Sequence, residues 1–346
     1  MKKIIITVAL MLFSLCYAVN LDDKISQMIM VGFDGNNSQS KDFKYILKNI
    51  NSITGVILFS KNIQDVKELN KMNQLLKDNS TVIPFIAIDN EGGQILRFDF
   101  ADVKSAKEIS KLNEADTKKE YKKLAQINYE AGINLNFAPV VDLLINEDSI
   151  INKKERAYSS DYRTVTKYAK ILIDEHSKYR IITSLKHFPG HGSAQGDTHL
   201  GFVDNTNVFE MDELMPYYLL KNTDKTTMVM VSHIFNGNID NKYPASLSEK
   251  TINGLLKDYI GFKGVVISDD YDMGAIRDNY DLDEIVVKAI NSGVDILLFS
   301  NNINYYDKKI FKKIHKIIKR EIKRGNIKES DIDKSYEKIM TLKQTI

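Results

Sequence analysis

The stretch Ile181-Ile182-Thr183-Ser184-Leu185-Lys186-His187-Phe188-Pro189-Gly190-His191-Gly192, with Asp197-Thr198-His199 shortly behind it, decides how this chain is read. It opens as a short apolar run rich in β-branched residues, the pattern of a buried strand. It ends in three histidines, a lysine and a carboxylate. Each of those groups costs free energy on leaving water unless it is paired, so a purely structural loop has little reason to collect them beside a buried strand. A strand that runs directly into a titratable cluster points to the carboxyl-terminal edge of a parallel sheet, where α/β folds place their chemistry.

The same pattern repeats on both sides. Eight apolar runs read as strands: Met28 to Phe33, Ile53 to Phe59, Val82 to Ile88, Ile133 to Val140, Ile181 to Leu185, Thr227 to Val231, Gly264 to Ile267 and Val294 to Phe299. Most are almost continuously hydrophobic, as parallel strands covered on both faces must be. Helix-like stretches separate them: Val66 to Lys77, Ala106 to Glu130, Arg163 to Tyr179, Met211 to Asn222, Ser248 to Tyr259 and Leu282 to Ser292. This alternation predicts an α/β protein, a single-domain (β/α)8 TIM barrel over residues 19–346. No linker rich in proline, glycine or serine and no internal repeat divides the chain. The basic segment Asp307 to Arg324 carries Ile310, Phe311, Ile314, Ile317, Ile318 and Ile322 on one stripe; it reads as a closing barrel helix with a solvated lysine face, or else as a surface for anionic lipid or wall polymer.

Composition narrows the function classes. With 48 basic against 46 acidic residues among 346, nothing points to nucleic acid or another polyanion as a partner, and an apolar content of 43% supports a sizeable core. Residues 1–18 read as an export signal: Lys2-Lys3, the apolar stretch Ile4 to Leu15, then small residues before a cut after Ala18. The stretch is short for a membrane span, so no stable membrane insertion is expected after cleavage, and the mature protein is expected in the periplasm or outside the cell. The only cysteine, Cys16, would leave with that segment. An uncleaved anchor or a buried N-terminal helix is the competing reading.

Polar residues follow the strands where a barrel would use them. Asp89 follows the third run, Lys186-His187 the fifth, Ser232-His233 the sixth, Asp269-Asp270 the seventh and Asn301 the eighth. Position leaves other roles open: Ser268-Asp269-Asp270 could cap a helix, Arg156 could form a surface pair with Glu155 or Asp161, and His187, His191, Asp197 and His199 could ligate a metal, although their spacing matches no helical zinc motif.

The motif KHFPGHG with Asp197-Thr198-His199 resembles glycoside hydrolase family 3, in particular its NagZ-like β-N-acetylglucosaminidase branch. Gly55 to Phe59, Asp89 to Gly93 with Arg97-Phe98, Asn136 to Asp142, Arg156-Ala157-Tyr158 and Val266 to Asp270 with Met273 resemble that branch in the required order. The resemblance implies a retaining exo-β-N-acetylglucosaminidase acting on a carbohydrate partner, a peptidoglycan fragment or a chitooligosaccharide. It implies Asp269 as nucleophile, His199 as acid/base with Asp197 as its partner, and Asp89, Arg97, Arg156, Lys186 and His187 as sugar-binding residues. No metal or organic cofactor is implied, and a monomer is expected. A phosphorylase or β-glucosidase of the same family, or a catalytically silent wall-binding module, stays open. Glu91 is expected to support its loop. Two departures, Gln94 and Tyr271-Asp272, are expected to alter the leaving-group side of the pocket. The absence of tryptophan favours a pocket for one terminal sugar over a long groove.

Overall fold

A computed structural model describes residues 19–223, 226–302 and 305–346; the expected export signal lies outside the described residues. All eight expected strands form. They are β1 (Ile29–Val31), β2 (Gly55–Leu58), β3 (Phe85–Ile88), β4 (Leu135–Asn136), β5 (Ile182–Phe188), β6 (Thr227–Val231), β7 (Val266–Ser268) and β8 (Leu297–Phe299). They lie in the order β7-β6-β5-β4-β3-β2-β1-β8, parallel throughout. A parallel bridge from Ile267 to Ile296 closes the remaining seam, giving the (β/α)8 barrel. The strands are buried along their whole length, which is why their sequences lack the polar alternation of a half-solvated sheet. Each fully buried Val, Leu or Ile among them stabilises the barrel by roughly 1.5–3 kcal/mol.

The helices depart from expectation at identifiable residues. Ala106 to Glu130 is two helices, Ala106–Ile109 and Glu114–Glu130, because the Asn113 side chain accepts the Asp116 N–H and restarts the helix. Met211 to Asn222 becomes a 3₁₀ turn, Met211–Leu214, and then Met215–Leu220, with Pro216 in its first turn. Lys250–Tyr259 winds as a π-helix. Among the described residues, α-helices that the sequence does not announce are Leu21–Ser26, Lys41–Lys48, Ile150–Lys153, Gly274–Arg277 and Glu329–Lys343. The first four are short, and the last has an apolar stripe diluted by charge.

The basic helix Ile310–Arg324 buries Ile310, Phe311, Ile314, Ile317 and Ile318 in the core and leaves Lys312, Lys313, Lys316, Lys319 and Lys323 exposed. Its apolar stripe is thus used by the barrel, as the closing-helix reading expects. No helix among the described residues is long and apolar enough to cross a membrane.

Candidate active site

A cavity of about 240 Å³ opens at the carboxyl ends of the strands. Its wall includes Asp89, Arg97, Arg156, Lys186, His187, His199 and Asp269, so seven of the eight site residues expected from sequence converge there. The eighth, Asp197, reaches the cavity through His199. Strands β2, β5, β6 and β8 contribute residues directly, and Ile57, Phe59, Ile95, Phe137, Met230, Met273 and Leu298 form the apolar part of the wall.

Lys186 and His187 are consecutive, yet both line this cavity. A regular strand would send them to opposite faces. Strand β5 runs on to Phe188, beyond the expected end at Leu185, and its register against β6 shifts between Leu185 and Phe188. That irregularity re-aims both side chains to one side.

The cations and carboxylates form one connected chain. Arg97 Nη2 donates to Asp89 Oδ2 at 3.2 Å, and Lys186 Nζ donates to Asp89 Oδ1 at 2.8 Å. Lys186 also pairs with Glu91 Oε1 at 2.7 Å. Arg156 grips both oxygens of Glu91, through Nε and Nη2, each at 2.7 Å. Its Nη2 donates further to His187 Nε2 at 3.1 Å, while His187 Nδ1–H donates to Asp142 Oδ2 at 2.7 Å. Burial would raise the Asp89 and Glu91 carboxyls, but the neighbouring cations outweigh it; Asp89 falls well below the usual range and Glu91 falls to about 2. Both stay ionised, so every buried charge is matched.

This arrangement adds to the expectations for Glu91 and His187 and corrects one, the capping role of Asp270. Glu91 is the central acceptor of the network, beyond supporting its loop. His187 spends both ring nitrogens on Asp142 and Arg156, so it orders Arg156 and holds no free donor in this arrangement. Asp270 caps nothing: its carboxylate accepts the Ser300 N–H at 2.8 Å, the Asp272 N–H at 3.0 Å and the Ser300 hydroxyl, tying the β7 loop to the β8 loop. Burial and the nearby Asp272 push the Asp270 carboxyl upward. The departures also sit elsewhere than expected. Gln94 is exposed, and Tyr271 and Asp272 are buried outside the cavity wall, Tyr271 bonded to Ser246 O and Asp272 to Asn301 N.

Asp269 is held at the end of β7. Its N–H bonds Val231 O at 2.8 Å, and its Oδ1 accepts the Asp270 N–H at 2.8 Å, which leaves Oδ2 without a hydrogen-bond partner among the described residues. Burial opposes its charge, but His233, His187 and His199 outweigh burial and lower its pKa. His199 Nδ1 lies 2.6 Å from Asp197 Oδ1, which also accepts the His199 N–H at 3.0 Å. With Nδ1–H given to the carboxylate, Nε2 is the free edge of the ring. His199 remains about half exposed, its side chain at 54%.

Two further residues position this loop: Asp142, which ends the stretch Asn136 to Asp142 but was assigned no role there, and Glu213, which stands in no motif. Asp142 Oδ1 accepts the His191 N–H at 2.8 Å, so His191 shapes the turn and does not line the cavity. Glu213 accepts the Gly192 N–H at 3.1 Å, the Ser193 N–H at 3.3 Å and the Ser193 hydroxyl at 2.5 Å. Both act on residues far away in the chain, so nothing in their own neighbourhood names their partners. Among the described residues no three His, Cys, Asp or Glu side chains are arranged to hold a metal ion.

Residues 20–342 match the glycosyl hydrolase family 3 N terminal domain. Beta-hexosaminidase LpqI of Mycobacterium tuberculosis is 27% identical over 93% of this chain and 82% of its own length. Beta-hexosaminidase A of Pseudoalteromonas piscicida is 27% identical, covering 84% of this chain, which spans only 53% of that protein. A glycoside hydrolase family 3 beta-N-acetylglucosaminidase from a Paenibacillus species superposes with a TM-score of 0.86 at 26% identity, covering 95% of this chain and 63% of its own. With the match spanning almost every described residue and the barrel superposing on solved members, the chain belongs to glycoside hydrolase family 3.

Proposed function

We propose that the protein is a retaining exo-β-N-acetylglucosaminidase that removes a terminal, non-reducing N-acetylglucosamine from a β-linked saccharide. One observation carries the reading: a charged but otherwise unengaged carboxylate oxygen, Asp269 Oδ2, shares a cavity with the free edge of a carboxylate-paired histidine, His199. Attack of Oδ2 on the anomeric carbon forms the glycosyl ester as the bond to the leaving oxygen breaks and His199 Nε2–H gives its proton to that oxygen. Neutral His199 then takes a proton from water, which attacks the same carbon and releases Asp269. Asp197 holds the ring and favours the imidazolium. The Arg97–Asp89–Lys186 group presents charge-assisted donors and acceptors for sugar hydroxyls.

The names of the relatives support the hexosamine preference. A cavity below the roughly 300–1,000 Å³ of ordinary small-molecule sites suits one sugar ring. The export reading belongs to the same proposal, and the first described helix is capped by Asn20 from within residues 19–346.

The test is turnover of an aryl N-acetyl-β-glucosaminide by the wild type and by Asp269→Ala. The variant is expected to lose several orders of magnitude in kcat, and a slow fluorinated glycoside should label Asp269 in the wild type. A variant keeping more than about a tenth of the rate would remove Asp269 from the chemistry.

A further inference from the structure

Ser232-His233 follows the sixth strand as Asp269-Asp270 follows the seventh, and the two pairs meet. In β6 Val231 stands opposite Ser268 of β7, so the residues beyond the two strands run side by side. Ser232 is anchored to β5, its N–H and hydroxyl donating to Phe188 O at 2.8 and 3.0 Å. The next residue, His233, is fully buried against the loop that begins with Asp269.

Both ring nitrogens of His233 have a fixed role. Nε2 lies 2.8 Å from Asp270 O, and a carbonyl oxygen only accepts, so Nε2 carries the proton. Burial, outweighing the nearby Asp269 charge, holds the imidazole below its ordinary pKa; in the neutral ring Nδ1 accepts the Ser246 hydroxyl at 2.7 Å. Ser246 is held in turn. Its turn, Ala245–Leu247, is tied back beside His233 by the Ala245 N–H, which donates to Ile234 O at 2.8 Å, and the Ser246 carbonyl accepts the Tyr271 hydroxyl at 2.9 Å. The Tyr271 ring lies over His233, with centroids 5.5 Å apart and planes 25° from parallel. Ser246, His233 and Tyr271 therefore close a buried cage around the carbonyl that follows the Asp269 carboxylate by one residue.

We infer that His233 is a positioning residue for the nucleophile, acting on Asp269 through Asp270. The end of β6 grips this dipeptide twice: Val231 O accepts the Asp269 N–H at 2.8 Å, and His233 Nε2–H donates to Asp270 O at 2.8 Å. Between the two holds lies the Asp270 N–H, the donor that pins Asp269 Oδ1 at 2.8 Å, so that Oδ2 is the oxygen left for attack. The inference rests on the N-acetylglucosaminidase reading and adds a residue to its machinery. It also gives a use to Tyr271, one of the departures from the family pattern: its hydroxyl secures the serine that sets the His233 tautomer.

The test follows turnover of an aryl N-acetyl-β-glucosaminide and the rate at which a slow fluorinated glycoside labels Asp269, in the wild type, His233→Phe, His233→Gln, Ser246→Ala and Tyr271→Phe. Phenylalanine keeps a ring against Tyr271 and loses the donor, so kcat and the labelling rate should fall together by about thirtyfold, with KM within about threefold. Glutamine restores an N–H donor at similar reach and should recover at least about a third of the wild-type rate. Ser246→Ala releases the tautomer and should cost about fivefold, and Tyr271→Phe less than that. The ¹⁵N shifts of the His233 ring should report a protonated Nε2 and a bare Nδ1 in the wild type, and a mixture of tautomers in Ser246→Ala. A His233→Phe variant within about twofold of wild type on both readouts would overturn the inference. Equal losses in His233→Phe and His233→Gln, or a wild-type ring protonated at Nδ1, would do the same. A wild type that neither turns over the substrate nor takes up the label would defeat the N-acetylglucosaminidase reading itself, whereas a labelled wild type with indifferent His233 variants defeats only the positioning role.

Discussion

At the scale of single residues, the site depends on keeping two groups in opposite protonation states. Burial disfavours the His199 imidazolium, but the Asp197 hydrogen bond and the charges of Asp269 and Asp197 outweigh it and raise the pKa above the ordinary 6.5. The Asp269 carboxyl moves the other way, below 3.8. The competent form, with Asp269 ionised and His199 protonated, is therefore present between them, and the basic limb of kcat/KM should report His199. Asp197→Ala removes the partner that raises this pKa, so the basic limb should shift to lower pH while the proton donor remains. His199→Ala should lose roughly 10²–10⁴ in rate on a disaccharide, whose leaving group needs a proton, and far less on an activated aryl glycoside. Equal losses in both variants for every leaving group, with an unmoved pH profile, would make His199 a binding residue. This pair was legible in Asp197-Thr198-His199 through the family resemblance of the motif, and the partners lie close enough in sequence to be quoted together. Asp142, 45 residues from His187, had no such local sign.

At the scale of elements, the strand ends were legible, because a fully buried parallel strand must be apolar until it meets the site. What happens within a strand end was not. The register shift in β5 is a property of its pairing with β6, and no composition marks it. The fixing of the following loop is similarly non-local. Gly192 packs so closely on Leu143 that a Cβ there would lie 1.9 Å from the Leu143 carbonyl oxygen. Glu213 holds the same segment from the other side. Burial, with the nearby Asp142 charge adding to it, outweighs the donors aimed at Glu213 and lifts its carboxyl to about 7. An acid raised by folding contributes stability that is full below its unfolded value, near 4.5, and lost as pH climbs through about 7. Glu213→Gln should abolish that slope. It should also drop kcat with little change in KM and expose the 190–199 segment to proteolysis, since one of the two oxygens that receive the loop donors is replaced by an NH2 group, which donates and cannot accept. Wild-type kcat and wild-type protease resistance in this variant would show that the clamp does not position the catalytic loop.

At the scale of the whole molecule, the two ends of the barrel are built on different terms. The catalytic end matches each buried cation to a carboxylate, whereas the opposite end is closed by Lys343 without one. The helix Glu329–Lys343 brings its amino group to Gln27 Oε1 and Thr54 O, both at 2.8 Å, over the Phe85 ring. Gln27, Thr54 and Phe85 stand at the starts of the first three strands, so this one side chain ties the C-terminal helix to the base of the barrel. The contact was invisible in sequence because it joins positions 316 and 289 residues apart. Burial pushes the Lys343 ammonium well below its usual 10.5. Over the interval between the folded value and 10.5 the unfolded chain holds the proton and the folded chain does not, so stability rises with pH there. Lys343→Met should remove that rise. It should also leave the Gln27 and Thr54 acceptors without their donor, at about 1–3 kcal/mol for each unsatisfied group. Urea unfolding at pH 7 and pH 9.5 should therefore show the variant less stable than wild type at pH 9.5 and the gap narrower at pH 7. A gap that is constant across this range would mean that Lys343 stays charged in the folded barrel, with the two carbonyl oxygens and the aromatic face sufficient to hold it.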